Sequence, residues 1–216
     1  GKDASGFGLF NIFPDGNDGV IRRSQLVFLY NGDIYPSLAL EALRKYLDGD
    51  IVLRIASYGV DGLSINDREL PVDEEGRFQL NFYGKGGTFK TYPAVDIIKG
   101  RLPGDAIKGK IVFVGVTEKG IYDLRVTPLD PIYPGVEIHA TVAANVLQKR
   151  FLIHDSRVIA LDIFFIILLP IGLSLALTRI HRTFLSLIVF LTFLLFHTAV
   201  NFYLFSSYNL VASAIY

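Results

Sequence analysis

Near its end the chain carries two long apolar stretches, VIALDIFFIILLPIGLSLAL at residues 158–177 and TFLSLIVFLTFLLFHTAVNFYLF at residues 183–205. A helix rises by about 1.5 Å per residue, so either stretch is long enough to cross a hydrocarbon core of about 30 Å. The alternative is that one of them is the buried core helix of a soluble protein. Their length and near-absence of charge favour a transmembrane helical hairpin, with spans at about 158–178 and 183–205.

The short loop at 178–182 predicts the orientation of this hairpin. It contains Arg179 and Arg182, and cytoplasmic loops carry an excess of Lys and Arg. We therefore expect this loop in the cytoplasm and residues 1–155, which precede the first span, in the periplasm or outside the cell. The apolar residues from about 208 onward predict the start of a third span, so we expect a multi-pass inner-membrane protein in contact with the lipid bilayer.

Three polar residues interrupt the apolar spans at similar expected depths. Asp162 lies about one turn inside the outer end of the first span, and His197 and Asn201 lie near the outer end of the second. Polar and ionisable groups at membrane depth usually find partners. One hypothesis pairs Asp162 with Asn201 or His197 across the hairpin. The alternative places Asp162 at the headgroup level and packs His197 against other helices.

Composition narrows the function classes. The 216 residues have a formal net charge of +0, which gives no reason to expect a nucleic-acid partner. The chain has no Cys, which excludes disulfides and thiolate metal sites, and no Met. Its first residues do not resemble a signal peptide. We expect an internal segment of a longer protein, with no cofactor and no metal.

Residues 1–155 have the rhythm of a soluble α/β domain. Residues 110–116 read KIVFVGV, a continuous apolar run that predicts a central buried strand. A helix is predicted at 136–148 and others at 36–47 and 93–99. The predicted fold class is therefore an incomplete α/β domain, a mixed sheet with flanking helices, at 1–155, followed by a membrane region at 156–216.

The loop after the predicted strand is the candidate ligand-binding region. Ligands of open α/β sheets bind beyond the carboxyl ends of the strands. The polar residues on this loop and at the start of the next helix are Thr117, Asp123, Arg125, Thr127, Glu137 and His139. They could contact a small polar ligand, or they could cap the helix and fix the loop. Glu137 and His139 are two residues apart and fall on different helix faces, which disfavours a joint metal site.

Two other motifs are more consistent with turns than with ligand sites. Residues 84–88, GKGGT, lack the spacing and ending of a phosphate-binding loop. Asp15, Asn17 and Asp18 lack the closing Glu of a calcium loop. The sequence contains no nucleophile elbow, so we predict no catalytic residue in this chain.

Three ordered motifs and the two spans together resemble the second type of CHASE domain. The motifs are GFGLFNIFPDGNDGVIRR at 6–23, YPSLALEALR at 35–44 and KGKIVFVGVTEKGIYDLRVTPLDPIYPGVEIHATVAANVL at 108–147. The resemblance implies the C-terminal part of an extracytoplasmic sensor domain of bacterial signalling proteins. Three spans and a cytoplasmic output domain usually follow such sensors. The output is often a class III adenylate or guanylate cyclase, and otherwise a histidine kinase, a Ser/Thr kinase or a diguanylate cyclase.

The resemblance therefore implies a non-catalytic sensory module that responds to an extracytoplasmic ligand or protein and forms a homodimer through the full-length protein. It also implies sheet strands from an earlier part of the sensor. Two alternatives stay open. The first is a membrane-anchored periplasmic hydrolase that uses Asp123 and His139, and it predicts a polar cleft where both side chains converge. The second is a dimerisation module without sensing, and it predicts an apolar outer patch and no pocket.

Overall fold

The computed structural model of the chain describes residues 5–117, 123–152, 156–180 and 183–209. The chain divides into two compact units, Gly1–Phe151 and Leu152–Tyr216. The first combines small sheets with short helices, and the second contains two long apolar helices. The predicted fold class is confirmed at this level. The predicted third span and Arg182 lie outside the described residues.

The strands form small, separate sheets in which every pair is antiparallel. β1 pairs with β7, β2 with β3, β8 with β9, and β5 lies between β4 and β6. Their bounds are β1 Arg23–Gln25, β2 Val27–Tyr30, β3 Asp33–Pro36, β4 Ile51–Ala56, β5 Gly59–Ile65, β6 Arg68–Leu70, β7 Arg77–Gln79, β8 Leu124–Arg125 and β9 Tyr133–Pro134.

Among its described residues the first unit contains the helices α1 Leu38–Tyr46, α2 Ala94–Ile98 and α3 Gly135–Gln148. α1 begins after Ser37, whose hydroxyl accepts a hydrogen bond from the Leu40 amide at 3.2 Å. This is the usual way in which serine satisfies a free amide at a helix start. The three helices predicted from sequence are therefore present, with small shifts of their ends.

The core of the first unit forms where α1 and α3 meet the sheets. Ile138, Val142 and Val146 follow each other at intervals of four along α3, so they share one face, and all three are fully buried. Leu40 and Leu43 of α1 and Phe78 of β7 belong to the same cluster. α3 is consequently the element that positions its polar side chains against the surrounding loops.

The predicted buried strand at 110–116 is wrong. Residues 111–117 form no strand, and their outward valines are exposed, with Val114 at 83 %. Ile111 and Phe113 are half-buried and alternate with Val112 and Val114, so the segment has the period of a strand. A strand also needs neighbours that bind its amides and carbonyls, and the described residues place none beside it.

The second unit contains α4, Ser156–Arg179, and α5, Thr183–Tyr208. Both are long and apolar enough to cross a membrane, over Asp162–Arg179 and Thr183–Ser207. Large apolar side chains on both remain uncovered, such as Ile166 at 68 % and Leu195 at 69 %. This pattern is typical of helices that face lipid and differs from that of core helices of soluble proteins.

Candidate functional site

A cavity of about 270 Å³ lies in the first unit between residues 89–97, residues 106–117 and the first turns of α3. Apolar side chains form most of its wall, among them Phe89, Ile97, Ile107, Ile111 and Phe113. The polar side chains on the wall are Lys90, Thr91, Lys110, Thr117 and Glu137. An apolar cavity with a few polar groups is the usual form of a small-molecule site.

The glycine-rich loop at 84–88 is tied down by two carboxylates. The Gly87 amide donates to both carboxylate oxygens of Glu137, at 2.9 and 3.1 Å, and the Gly86 amide donates to Asp130 at 2.9 Å. Gly87 has a φ of 85°, a conformation that favours glycine. These two amides therefore serve a turn, as the sequence predicted, and are not available to a phosphate.

The start of α3 packs closely against the predicted ligand residues Asp123 and Arg125. The Gly135 amide donates to the Asp123 carbonyl at 2.8 Å, and the Arg125 guanidinium lies 3.3 Å from the Asp123 carboxylate. A Cβ at Gly135 would lie 2.4 Å from Asp123 Oδ1. A side chain at this position would require the Asp123 carboxylate to rotate away. The bond from the Gly135 amide to the Asp123 carbonyl holds the loop against the helix.

His139 is buried, with 5 % of its surface exposed, and its ring stacks on Phe113 at 6.1 Å between centroids. Burial lowers the pKa of His139, and a hydrogen bond with the Phe10 backbone and the nearby Asp123 charge partly oppose this shift. Its Nδ1 has no hydrogen-bond partner within the described part of the chain. A neutral, stacked imidazole in this position packs the helix against residues 111–117.

Thr127 closes a tight turn. Its hydroxyl donates to the Asp130 carbonyl at 3.0 Å and accepts from the Asp130 amide at 3.1 Å. Asp130 in turn accepts from the amides of Gly86 and Ile132. The turn thus connects the loop before β9 to the glycine-rich loop.

The structure brings two of the six predicted ligand residues to the cavity, Thr117 and Glu137. The other four, Asp123, Arg125, Thr127 and His139, do not line it. The polar cleft that the hydrolase alternative predicts around Asp123 and His139 does not correspond to this cavity. Ligand binding by the six residues stays a prediction.

In the turn that resembles part of a calcium loop, the carboxylates of Asp15 and Asp18 bind arginine side chains. Asp15 is buried and accepts from the amides of Arg22 and Arg23, at 2.6 and 2.7 Å, and from the Arg23 guanidinium at 2.9 Å. The Arg22 guanidinium bonds to Asp18 and lowers the pKa of that carboxyl group. Within the described ranges no group of three His, Asp or Glu side chains is arranged to hold a metal ion.

Within the helical hairpin, His197 and Asn201 contact each other along α5. The Asn201 amide nitrogen lies 3.1 Å from His197 Nε2, and Phe165 of α4 packs edge-on against the imidazole at 5.8 Å. His197 therefore combines a polar contact on its own helix with an aromatic contact to the other. Pairing of Asp162 with either residue stays a hypothesis.

Sequence reasoning missed two residues of the cavity wall and one buried contact of α3. Lys90 and Lys110 line the cavity as exposed side chains, which give no local signal in sequence. Asn145 is fully buried in α3, where its side chain exchanges two 2.9 Å hydrogen bonds with the Asn81 backbone. A lone asparagine inside the apolar run VAANVL was the available signal for this contact.

The comparisons with known proteins give one result. A family model described as CHASE2 domain matches residues 2–174, well over half of the chain. No curated protein and no solved structure matches.

Proposed function

Because this chain belongs to the CHASE2 domain family of extracytoplasmic sensor domains, we propose that its first unit passes the state of a ligand or partner through α4 and α5 to a cytoplasmic output domain. The chain itself is a sensory input module and not the catalytic part. We also propose that two copies associate through the full-length protein, since movement of subunits about an interface is one way in which switching proteins transmit a change.

The observation that carries this proposal is the extent of the family match. It covers residues 2–174, so it includes nearly all of the first unit and most of α4. The family match therefore includes both the sensor fold and most of the first membrane-capable helix. A change in the first unit acts on the helix that follows it directly in the chain.

Signalling of this kind is a shift between two populations. A ligand moves the equilibrium only by the difference between its affinities for the two states. Allosteric couplings of about 1–3 kcal/mol are typical. A ligand of the sensor whose affinities for the two states differ by this amount would shift the equilibrium.

The orientation that we propose places residues 1–155 outside and the loop 178–182 in the cytoplasm. Since the chain has no native Cys, single cysteines report location without background. We expect a membrane-impermeant maleimide to label Lys85→Cys in intact cells and Thr178→Cys only after permeabilisation. The reverse pattern would refute the orientation.

The output that we propose is a class III adenylate or guanylate cyclase, with a histidine or Ser/Thr kinase as the alternative. Membranes that contain the complete gene product should convert ATP or GTP to the cyclic nucleotide. Transfer of phosphate from ATP to protein, without cyclic nucleotide, would support the kinase instead. The absence of both activities would contradict an enzymatic output of these classes.

A further inference from the structure

The cavity beside residues 111–117 has the size of a small-ligand site. It measures about 270 Å³, just below the roughly 300–1,000 Å³ typical of small-molecule sites, and lies wholly within the first unit. Its apolar wall, which includes Phe89, Ile97 and Phe113, suits a compact hydrocarbon or aromatic group. A ligand of this kind would cover apolar surface that is now open to water.

The charges on the cavity wall favour an anion. Lys110 donates from Nζ to the Ala106 carbonyl at 2.8 Å, and the Lys90 ammonium lies 5.2 Å from the ring centre of Tyr92. Neither lysine takes part in an ion pair within the described ranges. The acidic wall residue Glu137 already accepts two hydrogen bonds from Gly87. The wall thus offers two ammonium groups to an anion, and the Glu137 carboxylate is already hydrogen-bonded to Gly87.

Main-chain groups beside the cavity add hydrogen-bonding capacity. The backbone of residues 112–117 makes no hydrogen bond to another backbone group among the described residues. Phe113 is half-buried in this segment, and amides that water reaches poorly normally bind a partner. An acid group at this edge could accept from a main-chain amide as well as from lysine.

We propose that this cavity binds a small organic anion, with an apolar body and one carboxylate or comparable acid group. The body contacts the wall between α2 and Phe113, and the acid group contacts Lys110 and Lys90. The binding itself does not depend on the sensory function. Only the claim that this anion is the signal rests on the function proposed above.

The test uses 3-phenylpropionate as the probe and the neutral 3-phenylpropanamide as its matched control. Binding is measured by calorimetry on the protein in lipid nanodiscs. We expect the acid to bind about tenfold or more tightly than the amide, since a hydrogen bond to a charged group is worth about that factor. Raising the salt concentration should weaken only the acid, because exposed lysines are screened.

Paired variants locate the site. Lys110→Gln should weaken the acid about tenfold, whereas Lys99→Gln, a lysine that does not line the cavity, should change nothing. Ala94→Phe at the wall should abolish binding of both probes, whereas Val95→Phe beside it should not. Circular dichroism of each variant checks that the fold is retained.

Three results would overturn the proposal. The first is no binding of the acid at millimolar concentration, and the second is binding that Ala94→Phe and Lys110→Gln leave intact. The third is cross-linking of a photoreactive group at Val114 to another polypeptide segment, which would show that a strand fills this space. If the acid binds but leaves the enzymatic output of the complete protein unchanged, only the claim that this anion is the signal would be contradicted.

Discussion

Replacement of Asn145 with leucine tests how α3 holds the chain that leads into the glycine-rich loop. The Asn145 side chain is fully buried and bonds to both the amide and the carbonyl of Asn81, each at 2.9 Å. Leucine has a similar volume, keeps water out and offers neither a donor nor an acceptor. Two main-chain groups would therefore lose their partners in a place that water reaches poorly.

The expected loss follows from these two contacts. A buried polar group without a partner costs about 1–3 kcal/mol, so two cost about 2–6 kcal/mol. Burial of the leucine side chain offsets roughly 1 kcal/mol of this, which leaves a destabilisation of about 1–5 kcal/mol. For a chain of this length, each kcal/mol lowers the unfolding temperature by about 2–4 °C, so we expect a decrease of roughly 2–20 °C.

The assay is thermal unfolding of the protein in lipid nanodiscs, followed by the near-ultraviolet circular dichroism of its tyrosines. Gln148→Leu is the matched control, because Gln148 is exposed at the end of the same helix, and it should stay within about 0.5 kcal/mol of the parent. Amide exchange at Asn81 should accelerate in Asn145→Leu. An unfolding temperature equal to that of the control would refute the stabilising role of the two hydrogen bonds between Asn145 and Asn81.

Two further predictions concern the start of α3. Gly115→Ala should destabilise the first unit in thermal unfolding, because the new Cβ would lie 2.5 Å from the Cβ of Val136, an atom that cannot rotate away from the helix backbone. Gly104→Ala should not, since a Cβ there meets nothing within 4 Å. Equal effects of the two substitutions would contradict the close approach of Gly115 to α3. Burial holds the pKa of His139 below its ordinary value of 6.5, so the unfolded chain binds the proton more readily and stability falls as the pH drops below that value. His139→Phe should lessen the loss of stability between about pH 7.5 and about pH 5, and an unchanged pH profile would contradict this account.

Much of the architecture could be predicted because its signals are local. The spacing of Ile138, Val142 and Val146 is sufficient to predict α3, and the length of the apolar runs is sufficient to predict α4 and α5. Asn66, with a φ of 50°, occupies the turn between β5 and β6, and asparagine is a residue type that favours such a turn. Each of these features depends on neighbours within a few residues.

The parts that could not be predicted depend on distant partners. The run at 110–116 has the apolar composition of a buried strand, but composition alone does not determine which other elements pack against it. α3 covers the face that carries Phe113, and Val114 on the other face stays exposed. The cavity could not be predicted for the same reason, since Lys90 and Lys110 both line it only because the tertiary fold brings their segments together.

The role as an input module is tested most directly by the enzymatic output of the complete protein with and without residues 6–150. Output is measured in membranes that contain equal amounts of the intact and the shortened protein, across growth conditions and in the presence of candidate ligands. The sensory account predicts that the intact protein changes its output between conditions and that the shortened protein, which retains α4 and α5, does not. Output that is identical in the two proteins under every condition would contradict it.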